Sequence, residues 1–275
     1  MQTAQAGSGL SLTYVGGPTA LLELGGLRLL TDPTFDAAGT DYPTPSYVLH
    51  KIQGPAAPLE AFGPVDVVLL SHDHHADNLD RAGRDALGSA GLVLTTVTGA
   101  ERLSGHAVGL TPWHSHDVEA PDGRWLRITA TPACHGPPDM DRGPVVGFAL
   151  AFTDEPEAIT YVSGDTVWYD GVAEVGRRFP PRVAILFMGA ARVLAAGPHH
   201  LTFTAEEGVT AARAFPGAAI VPLHFEGWAH FSQSRSDIER AFADAGLADR
   251  LCWPVPGRAL ELSLRGPPPD ETNRH

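Results

Sequence analysis

Four short apolar runs in this chain end directly in histidine or aspartate, and that coincidence constrains the fold more than any other feature. Val65-Asp66-Val67-Val68-Leu69-Leu70 runs into Ser71-His72-Asp73-His74-His75, and Ile128-Thr129-Ala130-Thr131-Pro132-Ala133-Cys134 runs into His135. Ile159-Thr160-Tyr161-Val162-Ser163-Gly164 leads to Asp165, and Ala219-Ile220-Val221-Pro222-Leu223 leads to His224. Runs of this length, rich in β-branched residues and bounded by glycine or proline, read as buried strands. A strand end is a rigid platform, and several ends at one edge of a sheet can aim their side chains at one point.

The remaining pattern fits two sheets. Residues 10–15, 20–24 and 27–31 form a meander punctuated by Gly16-Gly17 and Gly25-Gly26, and Thr31-Asp32-Pro33 breaks it into a long loop reaching about His50. Further strands are expected at 65–70, 92–96, 107–110, 125–131, 146–152, 158–162, 183–187, 218–223 and 259–264, and helices at 78–87, 99–103, 204–214 and 236–245. Strands lead, helices follow, and the cycle repeats in the second half. Two sheets packed face to face with helices outside fit this order. With 275 residues, 43% of them hydrophobic, and no linker, residues 1–275 read as one domain with loose ends at 1–9 and 266–275.

The formal charge of −13 opposes binding to a nucleic-acid backbone or an anionic membrane surface. No apolar run approaches the ~20 residues of a membrane span, and the first residues carry no basic segment followed by an apolar one. The expectation is a cytoplasmic enzyme with a small-molecule substrate. Two cysteines, Cys134 and Cys252, provide no disulfide framework. Gly-x-Ser-x-Gly and the P-loop pattern are both absent.

Imidazole nitrogen and carboxylate oxygen are the usual ligands of Zn²⁺, and a catalytic site leaves one position for water. The histidines and aspartates at the strand ends, with Asp77 just beyond the first, suffice for one or two divalent ions. Zn²⁺ is the first expectation and Mn²⁺ the second.

The segment Ser71-His72-Asp73-His74-His75-Ala76-Asp77-Asn78-Leu79-Asp80 resembles the His-x-His-x-Asp-His signature of the metallo-β-lactamase superfamily. The meander ending in Thr31-Asp32-Pro33 is similar to the branch containing L-ascorbate-6-phosphate lactonase and N-acylphosphatidylethanolamine phospholipase D. His135, Ser163-Gly164-Asp165-Thr166 and His224 follow in the order of that family's later ligands. The resemblance spans residues 10–264 and implies an α/β fold, a four-layer αβ/βα sandwich with metals at one edge.

The signature here is one residue too long, and Asn78 stands at its last histidine. If the extra residue follows the second histidine, His72 and His74 share a metal. If it precedes it, His72 and His75 do, which keeps His-x-Asp spacing through His75 and Asp77. By resemblance, His72, His75 (or His74) and His135 hold a first ion, Asp77 and His224 a second, and Asp165 bridges them. Asp77 also orients the nucleophile, so Asp77 and Asp165 are the catalytic candidates. A metal lowers the pKa of bound water to about 7, and the hydroxide so formed cleaves a small ester, lactone or phosphodiester. Asn78 is a far weaker zinc ligand than imidazole, which puts the second ion in question. The alternatives are a β-lactamase-type amide hydrolase and a non-catalytic metal-binding protein that kept the fold.

Candidates for substrate contact are Arg192, His199, His230 and Trp168, with Arg142 and the loop 136–143 at the same mouth. Asp32 is expected behind a ligand histidine, and Asp73 and Asp80 either there or capping the following helix.

Overall fold

The computed structural model describes residues 9–137 and 142–265. Strands β1 (Gly9–Gly16), β2 (Thr19–Leu24) and β3 (Leu27–Thr31) form the expected meander. The turn between β2 and β3 needs glycine. Gly25 and Gly26 both have positive φ, and a Cβ on Gly25 would lie 2.3 Å from Phe152. The loop that follows is less irregular than its sequence suggests. It folds into a separate hairpin, β4 (Asp41–Pro43) and β5 (Val48–His50).

β6 (Val67–Leu69), β7 (Leu92–Thr96) and β8 (Ala107–Leu110) continue the first sheet in parallel, and the last strand, β15 (Ala259–Ser263), closes its other edge. The order is β15-β1-β2-β3-β6-β7-β8. The second sheet holds β9 (Ser115–Glu119), β10 (Trp125–Pro132), β11 (Val146–Phe152), β12 (Thr160–Val162), β13 (Val183–Phe187) and β14 (Ala219–Leu223), in the order β14-β13-β12-β11-β10-β9.

The two sheets face each other. Leu12, Leu22, Leu29 and Leu69 of the first interdigitate with Ile128, Phe148, Val162, Ile185 and Val221 of the second. The opposite faces are covered too, which is why the strands read as unbroken apolar runs. Val183, Ile185 and Phe187 of β13 point between the sheets. Ala184 and Leu186 point outward onto helices α3 (Asp170–Arg178), α4 (Ala205–Ala214) and α5 (Arg235–Asp244), through Val172, Val175, Val209, Ile238 and Phe242. On the outer face of the first sheet, Leu30, Val68 and Val93 pack under Phe62, Leu79 and Leu87, beside α1 (Arg81–Ala86) and α2 (Val97–Leu103). Helix, sheet, sheet, helix is the four-layer sandwich expected.

Some boundaries move for local reasons. The helix expected at 78–87 begins at Arg81, because Asp80 accepts a hydrogen bond from the Gly83 amide and acts as its cap. Helix α3 has no side-chain cap and only two buried apolar residues, so it left no start signal. β9 is an edge strand whose residues are exposed or half-buried, and it shows no apolar run. Among the described residues no helix is long and apolar enough to cross a membrane.

Candidate metal centre

β10, β12, β13 and β14 run in the same direction, since β11 is antiparallel to both β10 and β12 while β12, β13 and β14 are parallel. Their C-terminal ends therefore lie at one edge, where His135, Asp165 and His224 follow. β3 and β6 are likewise parallel and present Asp32 and His72. Gly164 permits the close approach of the two sheets here: its φ is +59°, and a Cβ would meet Val146 O at 2.7 Å and Ser71 Cβ at 2.9 Å.

The donor atoms form a connected arc. His72 Nε2 is 2.9 Å from His75 Nδ1, and His75 Nδ1 is 3.1 Å from His135 Nε2. His135 Nε2 lies 3.7 Å from Asp165 Oδ2, and Asp165 Oδ1 lies 3.4 Å from His224 Nε2. His224 Nε2 is 3.6 Å from Asp77 Oδ2, which in turn is 3.0 Å from His230 Nε2. Two trios, His72–His135–Asp165 and Asp77–Asp165–His224, each bring one donor atom per residue within 4.8 Å of the others.

Surrounding groups fix the tautomers. Asp32 Oδ1 accepts from the Ser71 amide (2.9 Å) and hydroxyl (2.7 Å). With the hydroxyl proton committed there, Ser71 Oγ receives His72 Nδ1–H at 2.9 Å, leaving the Nε2 lone pair facing inward. His135 Nδ1–H donates to Leu201 O at 2.9 Å, which frees its Nε2 in the same way. Asp32 thus reaches a histidine through Ser71, an intermediary the sequence did not suggest. Asp73 does something else, binding Arg102 through its carboxylate and Arg84 through its carbonyl. Asp80 caps α1 and pairs with Lys51.

Electrostatics suit a cation. Burial, with the neighbouring histidines, holds His72 well below the ordinary imidazole range and His75 down to about 3, so both are neutral donors at pH 7. Burial alone would raise Asp77 and Asp165. For Asp77 the adjacent imidazoles of His224 and His230 outweigh burial, and for Asp165 the charge of His224 does, so both stay ionised. Burial opposes charge on His224 too, yet Asp165 and Asp77 push it up to about 10. Even so, both Asp165 oxygens and both His224 nitrogens are buried without a well-aligned hydrogen bond. Buried polar atoms are rarely left so, and an ionised carboxylate in that state is costly. A divalent ion between these donors removes the deficit, so the residues present fit a metal.

His74 and His75 differ in their partners. His75 lies in the arc. His74 is exposed and its Nε2–H donates to Arg142 O at 3.0 Å, although its ring nitrogens also group with those of His72 and His75. Of the expected substrate residues, Arg192 spends its guanidinium on Pro198 O and Ser232 Oγ. Trp168 packs against the apolar cluster under α3 and α4, just before α3 begins at Asp170. His199 lies in the loop after β13, its amide bonded to Ala196 O. His230 is drawn onto Asp77 itself. Arg142 reaches Tyr47 of the β4–β5 hairpin at 3.2 Å, and residues 138–141 of the 136–143 loop lie outside the described residues.

A family model described as "Beta-lactamase superfamily domain" matches residues 27–225, more than half of the chain and every residue of the arc except His230. The chain belongs to the metallo-β-lactamase superfamily. It is an enzyme of the metal-dependent hydrolase class for which several of its curated relatives are named. One of these, a "UPF0173 metal-dependent hydrolase" of Caldivirga maquilingensis, is 24% identical over 92% of this chain and 99% of its own length. Among solved structures, the isothiocyanate hydrolase from Delia radicum gut bacteria superposes with a TM-score of 0.78, at 24% identity, over 93% of this chain and 100% of that one. A possible metal-dependent hydrolase from Veillonella parvula gives 0.76 at 20% identity over 91% and 98%. These likenesses establish the sandwich.

Proposed function

We propose that the arc is a two-metal hydrolytic site within a single-domain enzyme, and that it opens a small ester, lactone or phosphodiester. In this reading His72, His75 and His135 hold one ion, Asp77 and His224 the other, and Asp165 spans the two. The observation that carries it is the buried Asp165 carboxylate, without a hydrogen bond at either oxygen and reached by His135 on one side and His224 on the other. When bound, divalent ions lower the pKa of water and polarise the scissile bond's oxygen. The protein's own part is positional. Ser71 and Leu201 O hold His72 and His135 with their lone pairs inward, and Asp77, buried beside His230, presents a second carboxylate that would orient a nucleophile.

Zinc fits the imidazole-rich side, and manganese the side with two carboxylates. The meander and the Thr31-Asp32-Pro33 turn favour kinship with the ascorbate-phosphate lactonase and phospholipase D branch. The charge of −13 favours a small substrate over nucleic acid. The test is metal analysis of purified protein with a panel of esters, lactones, phosphodiesters, a β-lactam and an isothiocyanate. The expected result is bound zinc or manganese and chelator-sensitive turnover in one of the first three classes. Protein that takes up no metal overturns the reading. Metal uptake without turnover of any member favours the non-catalytic alternative, which Asn78 makes concrete.

A further inference from the structure

The second trio is short of imidazole. Asp77, Asp165 and His224 supply two carboxylates and one histidine, and Asn78 stands where the superfamily signature ends in histidine. Another histidine reaches the same place from elsewhere in the chain. His230 lies beyond β14, six residues after His224, and its Nε2 is 3.0 Å from Asp77 Oδ2. Its side chain is only 10% exposed, and its Nδ1 is buried with no hydrogen-bond partner among the described residues.

The backbone around it is held from both sides. Ala229 N–H donates to His50 O of β5, Ile52 N–H to Gly227 O, and Arg192 N–H to His230 O. Phe231 and Trp228 wall the imidazole at ring-centroid distances of 4.6 and 6.4 Å. A surface histidine meeting a carboxylate by chance would not be fixed in this way. His230 adjoins the trio through Asp77: its Nε2 is 3.0 Å from Asp77 Oδ2, whereas the donors of Asp77, Asp165 and His224 all lie within 4.8 Å of one another without it, so an ion in the trio would take His230 as a ligand by drawing the imidazole inward along Asp77.

Resting on the two-metal reading, we propose that His230 is the fourth protein ligand of the second ion and replaces the histidine lost at Asn78. The segment after β14 then does what the signature loop does in relatives with a complete motif. Asn78, wholly buried and with both amide atoms unpartnered, is the rival donor.

Calorimetric titration of chelator-stripped protein with zinc, and absorption spectra after cobalt loading, test this in the natural chain, His230→Ala, His230→Gln and Asn78→Ala. The natural chain is expected to bind two ions. His230→Ala and His230→Gln should keep the first and weaken the second by roughly 100-fold or more, since losing even a group behind a ligand costs about 10–100-fold. The cobalt bands of the second site should shift, and millimolar imidazole should restore binding in His230→Ala. Asn78→Ala should bind both ions as the natural chain does. Circular dichroism confirms folding, and the glutamine variant serves if alanine disturbs the segment. The proposal is overturned if the His230 variants bind both ions with natural affinity and an unchanged cobalt spectrum, if Asn78→Ala alone loses the second ion, or if the natural chain holds only one. Failure of every chain to bind any ion would refute the two-metal reading itself, a distinguishable result.

Discussion

Replacing Lys51 by methionine tests how the loop beside the metal centre is held. Lys51 is the chain's one lysine. Its Nζ donates to Asp80 Oδ2 at 2.7 Å, and the two side chains are 3% and 0% exposed. Asp80 also accepts from the amides of Phe35, Asp36 and Gly83, so one carboxylate ties the 33–36 loop, the start of α1 and β5's flank together. At an effective dielectric of about 20 the pair's attraction is about 6 kcal/mol. Burial works against the lysine charge, lowering its pKa despite Asp80. Removing one member of a buried pair typically costs about 3–5 kcal/mol. Three amides remain to satisfy Asp80, which points to the lower end, about 3 kcal/mol. Methionine keeps most of the stem's packing, so the loss reports the charge. At about 2–4 °C per kcal/mol for a chain of this size, Tm should fall by roughly 6–12 °C. Calorimetry at matched metal content measures it. A fall of less than about 2 °C would mean that the three amides alone hold Asp80, and the reasoning would be wrong.

Stripping metal with a chelator should lower Tm by roughly 8–16 °C, the equivalent of about 4 kcal/mol of binding at a thousandfold excess over Kd, and zinc or manganese should restore it. An unchanged melting curve would show that the buried Asp165 and His224 need no cation. His75→Ala should lose bound metal while His74→Ala retains it, because His74 Nε2 is spent on Arg142 O; elemental analysis giving the reverse would exchange their roles. Gly83→Ala should sharply reduce the yield of folded protein, since its Cβ would lie 1.8 Å from the Pro33 carbonyl in the backbone that Asp80 anchors. Soluble expression at the natural level would contradict that packing.

Local chemistry alone carried much of the design. The apolar runs before His72, His135, Asp165 and His224 identified buried strands because both faces of each sheet are covered, and a residue just past such a run can only emerge at the strand's end. Their convergence was therefore legible before any coordinates. Strands 27–31, 92–96, 107–110, 146–152 and 183–187 coincide with the observed bounds. What lacked a periodic or capping signal was missed. β9 is a polar edge strand, α3 starts without a side-chain cap, and the β4–β5 hairpin carries a proline in one arm. Spacing leaned to His75, which keeps His-x-Asp with Asp77, but did not exclude His74. The fold adds that Arg142 O lies against one and His135 against the other. His230 follows no strand and belongs to no motif. It reaches Asp77 because β5 and the loop after β13 pin its backbone from either side, a meeting of segments distant in sequence that no local pattern encodes.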